Sequence, residues 1–281
     1  MSHSSELYVH VFQALSRDIH SKIHLVSENT LCVSFVSQDI PHQDMTGTSI
    51  EERKTLPMAI AALKSYLVKT INHQQAIIID TVLSYDSLLI HFNLSMISGR
   101  ECKKRIEACI KTYIGDISSA TQVKTSAKLA PKHANTKRHI DVPAYYGRDV
   151  GWDLYDLSVE KNLSIDDIII IHSQQTYTVC AIGFSPGFAF MGFLPPKIQH
   201  KRLKNPRNHV FPGSIGIAED QTGIYPDASP GGWNIIGRTP MTLTDLNNTL
   251  KPCVFSIGDS VRFVPINKET YLSLGGEIDT L

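Results

Sequence analysis

QTGIYPDASPGGWNIIGRTP, residues 221–240, places four glycines and three prolines within twenty residues. Ordinary loop composition does not require so many freed or fixed backbone angles. The run therefore predicts a long, turn-rich path held in one shape. Gln221, Thr222, Tyr225, Ser229, Trp233 and Arg238 stand on that path, with Gly231 and Gly232 between them. They offer amide, hydroxyl and guanidinium groups beside an aromatic wall, a set suited to a small molecule carrying a carboxylate and an amide. Arg238 could hold the carboxylate through a bidentate pair. The same residues also suit a structural role, in which Trp233 is core, Arg238 makes an internal ion pair and the glycines turn corners.

Around this run the chain reads as mostly β from Asp141 onward. A strand over 140–145 leads to a short helix near 154–161. Ser164 then offers an N-cap, with Asp167 three residues on in the manner of a capping box, for a helix through Ile171. Residues 176–184 form an apolar strand. Short β-like stretches follow at 210–218, 233–236, 241–243 and 260–265, divided by Gly and Pro, and their spacing predicts a barrel or sandwich.

The first 115 residues read as a small α+β domain. Residues 22–26 and 31–36 predict a hairpin, and 76–79 and 88–92 two further strands. Ile60, Leu63 and Leu67 mark a helix over 51–69. Cys102, Ile106, Cys109, Ile110 and Tyr113 mark a second over 99–114, with both cysteines as core. Residues 116–139, rich in Ser, Thr, Ala and Lys and containing Pro131, read as a linker, and 140–281 as the second domain.

Bulk composition narrows the function. Lys plus Arg equals Asp plus Glu at 27 each, so no global charge draws the chain to nucleic acid or anionic lipid. The five cysteines are scattered without a C-x-x-C pair, as reduced thiols in a cytosolic protein would be. The start MSHSSELYVHVF lacks a basic n-region followed by an apolar h-region, and the aliphatic runs 77–79 and 168–171 fall far short of a membrane span. A soluble, cytoplasmic protein is expected.

Several motifs fail on their chemistry. Gly183-Phe184-Ser185-Pro186-Gly187 matches the nucleophile-elbow pattern, yet Pro186 lacks the N–H that an oxyanion hole takes from that position. The twelve histidines show no zinc-type spacing, so no metal site is expected. No Gly-Lys dipeptide occurs, which excludes a P-loop. His172 closes the helix that begins after Ser164. It can serve the helix dipole, or it can act as a proton shuttle.

Three blocks in order carry a resemblance: CAIGFSPGFAFMGFLP at 180–195, PRNHVFPGSIGIAEDQTGIYPDASPGGWNIIGRTP at 206–240 and GDSVRFVPI at 258–266. They resemble the family of the 5-oxoprolinase B subunit, also called the KipI or allophanate-hydrolase subunit 1 family. The stretch 31–36 lacks that family's glycine-bearing start, and Ser185 stands where it usually has Leu or Met. The resemblance implies an α+β N-terminal domain followed by a mostly-β, cyclophilin-like β-barrel. It implies a C subunit (KipA-like) and an A subunit as partners, which together cleave 5-oxoproline to glutamate with ATP bound by the complex. In that assembly His172 and Arg238 would be catalytic, and Gln221, Thr222, Tyr225, Ser229, Gly231, Gly232 and Trp233 would line a shared substrate pocket. Related chains inhibit a sensor histidine kinase or belong to urea or amide carboxylases, and both remain alternatives.

Overall fold

Leu31, Val33 and Phe35 alternate with Cys32 and Ser34, and this period of two turns one face of a strand inward. The computed structural model describes residues 19–37, 50–122, 138–245, 247 and 252–278. The chain divides into two compact units, 1–136 and 137–281. In the first, β1 (Ile19–Ser27), β2 (Thr30–Ser37), β3 (Ile78–Leu83) and β4 (Ser87–Phe92) form an antiparallel sheet of order β1-β2-β4-β3. Leu31 pairs with Ile90 and Val33 with Leu88, so these fully buried residues share one face.

Helices α1 (Ile50–Ile71) and α2 (Gly99–Gln122) pack against this sheet and each other. They contribute Ile60, Leu63, Leu67, Cys102, Ile106 and Ile110 to the core. Cys109, expected in the core, is only half-buried. Helix α2 also runs eight residues beyond the expected stop at 114. The extension carries Gly115 at a cost of about 1 kcal/mol and then residues that a helix tolerates. Most of the expected linker, 123–137, lies outside the described residues.

In the second unit β5 (His139–Ala144), β6 (Thr176–Ile182), β7 (Ala189–Gly192), β9 (Ser214–Ala218), β10 (Gln221–Ile224), β12 (Asn234–Arg238) and β13 (Ser260–Pro265) form one sheet. Its order is β12-β9-β10-β7-β6-β13-β5, with β13 and β5 parallel and the other pairs antiparallel. Tyr145 and Arg238 exchange both backbone hydrogen bonds, at 2.9 and 2.8 Å, and so join β5 to β12. The sheet is thereby a nearly closed barrel following an α+β unit, as expected.

Side chains alternate across the barrel wall. Ala189, Met191, Ile215, Ile217, Ile224 and Ile236 share the main core with Leu154, Leu157 and Ile168 of helices α3 (Leu154–Lys161) and α4 (Ile165–Ser173). Their strand neighbours Phe188, Ala218, Tyr225 and Ile235 form a second cluster with Val210 and Trp233, which lies on the outer face of the sheet. A two-stranded ribbon, β8 (Arg207–Val210) with β11 (Ser229–Gly231), covers that face through Val210.

The run 221–240 is thus not one long loop. It supplies β10, β11 and β12, with backbone groups satisfied by neighbouring strands. The expected strand at 210–218 breaks at Phe211-Pro212-Gly213, where Gly213 has φ of +77°. Residues 241–243 form no strand.

Candidate functional site

The barrel wall sorts the sequence-predicted residues into two sets. His172 and Thr222 point into the interior, both completely buried. The His172 ring lies against Tyr177 and Phe263, and its nitrogens lie 2.7 Å from Tyr146 Oη and 3.0 Å from Thr222 Oγ1. Thr222 donates to the Gly216 carbonyl at 3.1 Å, so it accepts from His172 Nε2–H, leaving Nδ1 to accept from Tyr146. Burial drives the His172 pKa down to about 3, so the ring is neutral. Helix α4 delivers it there through the reciprocal Ser164–Asp167 capping box, as the sequence predicts.

The outer set is built on glycine pairs. Gly216 and Gly223 are register partners on β9 and β10, and a Cβ on either would lie 3.1–3.2 Å from Trp233. They form the floor for the indole, which meets Phe188 and Phe190 edge-on with Arg202 6.0 Å from its ring centroid. Tyr225 is buried and its hydroxyl faces the Trp233 backbone N–H. A Cβ on Gly231 would stand 2.3 Å from that hydroxyl, whereas one on Gly232 would meet nothing closer than 3.5 Å.

A bulge between Ile235 and Gly237 sets Gly237 opposite Ile215 of the core, so Arg238, paired with Ser214, falls on the outer face. Its side chain is only 4% exposed. The guanidinium lies 4.8 Å from the Phe211 ring centroid, and Nη1 donates to the Glu277 carbonyl at 3.1 Å. Phe211 in turn meets Trp152 and His209. Ser229 pairs with Val210, next to Phe211, and its buried hydroxyl has no hydrogen-bond partner among the described residues. Gln221 is half-buried at the opposite end of β10 from Ile224. Three residues of strand lie between it and Tyr225, a rise of roughly 13 Å.

Sequence reasoning missed the residues that frame Arg238, namely Trp152, Phe211, Tyr271 and the Glu277 backbone. It also missed the Arg207–Asp153 pair. Arg207 grips both Asp153 oxygens at 3.0 and 2.6 Å, and Asp153 accepts from the Ile235 amide at 2.6 Å. Asp153 occupies the N-cap of α3 but makes no side-chain cap, because its carboxylate is spent on this tether. The Pro-Arg beginning of the second sequence block was the one available signal. Residues 183–187 are the β6–β7 turn, followed by a strand rather than the helix that a nucleophile elbow needs.

The N-termini of four described helices do not suit nucleotide phosphates. Helices α2, α3, α4 and α5 (Lys268–Ser273) each carry a carboxylate in the first turn, at Glu101, Asp156, Asp166 with Asp167, and Glu269. Those N-termini repel the anion that a phosphate cradle must attract. Among the described residues no cluster of three or more His, Cys, Asp or Glu could hold a metal ion, and no helix is long and apolar enough to cross a membrane.

An α+β unit followed by this barrel is a fold that recurs among solved structures. The K. lactis urea amidolyase structure shares it at a TM-score of 0.62 and 15% identity, over 90% of this chain and 15% of that one. The family described as carboxyltransferase domain, subdomain C and D, matches residues 22–255, and the chain belongs to that family. It is 37% identical over 145 residues to the 5-oxoprolinase B subunit of Bacillus subtilis (strain 168), covering 52% of this chain and 60% of that one. Against the 5-oxoprolinase B subunit of Haemophilus influenzae it is 43% identical over 127 residues, covering 45% and 59%. The chain thus spans about three-fifths of the length of these curated relatives.

Proposed function

We propose that this chain is the B subunit of a cytoplasmic, ATP-dependent 5-oxoprolinase that, with C and A subunits, hydrolyses 5-oxo-L-proline to L-glutamate. One observation carries the reading. A buried guanidinium, Arg238, rests on an aromatic ring on the outer face of a barrel whose curated relatives are 5-oxoprolinase B subunits.

A lactam is a stabilised amide, so the protein's task is to orient it and to balance charge. Arg238 takes the substrate carboxylate, and the buried hydroxyl of Ser214, its register partner on β9, is the nearest donor in the strand pairing to share it. Trp233, Tyr225, Gly231 and Gly232 hold the covering ribbon in shape. His172 and Thr222 act across the wall as a core network, because they sit on the interior side of the barrel wall from Arg238. Gln221 stands too far along β10 to share a five-membered ring with Arg238. ATP would be held by the complex rather than by a P-loop in this chain.

Co-expression with A and C subunits, followed by a glutamate-release assay on 5-oxoproline, tests the reading. Release that requires this chain, both partners and ATP is the expected outcome. Release by the partners alone would remove the basis for it.

A further inference from the structure

We propose that residues 275–278 form a strap over Arg238 that must lift before the guanidinium can take a carboxylate. This rests on the reading of Arg238 given above. The strap follows α5, where Gly275 adopts φ of +86° and turns the chain out of the helix. Gly276 then lies flat on the Tyr271 ring, since a Cβ there would stand 2.4–2.5 Å from three ring carbons. The next carbonyl, that of Glu277, accepts from Tyr271 Oη at 2.9 Å and from Arg238 Nη1 at 3.1 Å. Tyr271 is itself buried and stacked on Tyr145, 5.2 Å between centroids. The strap therefore sits on the seam where Tyr145 and Arg238 close the barrel.

Anchorage and exposure make this strap a movable element. Gly275 and Glu277 are exposed, and the strap is held down by the Gly276 amide on the Tyr271 carbonyl at 2.9 Å and by two side-chain donors on the Glu277 carbonyl. A neutral carbonyl is the weaker partner for a guanidinium, because a charge-assisted carboxylate pair is roughly twice as strong. A carboxylate ligand thus competes directly with Glu277 for the same Nη1, and its binding energy favours the lifted state.

Phenylglyoxal labelling of Arg238, read by peptide mass mapping on the folded 281-residue chain, measures the opening without reference to catalysis. Gly276→Ala should push the strap off Tyr271, and truncation after Gly275 removes it. Thermal melts confirm that each variant is folded. Arg238 should label on the order of tenfold faster in both variants, as expected for a strap open less than about a tenth of the time. In the co-expressed complex with A and C subunits, excess 5-oxo-L-proline should slow that labelling again. Equal labelling in the full chain and both variants would overturn the strap. Faster labelling that 5-oxo-L-proline leaves unprotected would overturn Arg238 as a carboxylate anchor, and with it the purpose of the gate.

Discussion

Burial sets the charge of His172, and that makes stability depend on pH. The folded pKa of about 3 lies below the ordinary value of 6.5, so the neutral ring is favoured by folding. Its contribution is complete above pH 6.5 and is lost as pH falls from there toward 3. Between pH 7 and 5 the loss is about 2 kcal/mol. Urea unfolding of the wild type should show this drop, and His172→Phe should be weaker at pH 7 yet flatter by about that amount. An equal drop in both proteins would remove His172 as its source. The adjacent glycines of the ribbon make a second test at this scale. Gly231→Ala forces a Cβ against the Tyr225 hydroxyl and should cost about 1–3 kcal/mol, while Gly232→Ala has room and should change little. Thermal melts that rank the two the other way would contradict the packing described.

Two elements owe their positions to single polar contacts. Ser164→Ala removes the reciprocal cap of α4 and should lower stability by about 1 kcal/mol, measured by denaturant midpoint. Arg207→Ala should loosen the ribbon, because it strands the Asp153 carboxylate that also holds the Ile235 amide. Hydrogen exchange should then rise at Ile235 and along β8, and unchanged protection there would refute the tether. Helix α4 was legible because a capping box is local chemistry. The β1–β2 hairpin was legible for the same reason, from alternation and a short polar turn. Strands β10 and β11 were not, because their glycines look like turn residues, whereas β12 was expected over 233–236. Gly216 and Gly223 are small to admit the Trp233 indole, a contact made by residues distant in sequence. Thr222 looked like a ligand donor for a similar reason. Its partner His172 lies 50 residues away, beyond the reach of any spacing rule.

For the whole molecule, the site on the outer face is framed by few residues and lies partly under the chain's own backbone. Arg238, Phe211 and Trp152 define one wall, and a substrate held there needs further groups to surround it. That geometry suits a chain acting as one part of an assembly. The sequence showed the family through three blocks, and it singled out Arg238. It did not show that the wall of the barrel separates Arg238 from His172, because sidedness in a sheet depends on register and bulges. The central claim is that Arg238 anchors the substrate carboxylate. It is tested most directly by the KM for 5-oxo-L-proline in the co-expressed three-subunit complex, comparing wild type with Arg238→Ala and Arg238→Lys. The account predicts at least a roughly hundredfold loss of kcat/KM for Arg238→Ala, the equivalent of about 2.7 kcal/mol, with partial recovery in Arg238→Lys and an intact complex by size-exclusion chromatography. Full activity in an assembled Arg238→Ala complex would contradict it.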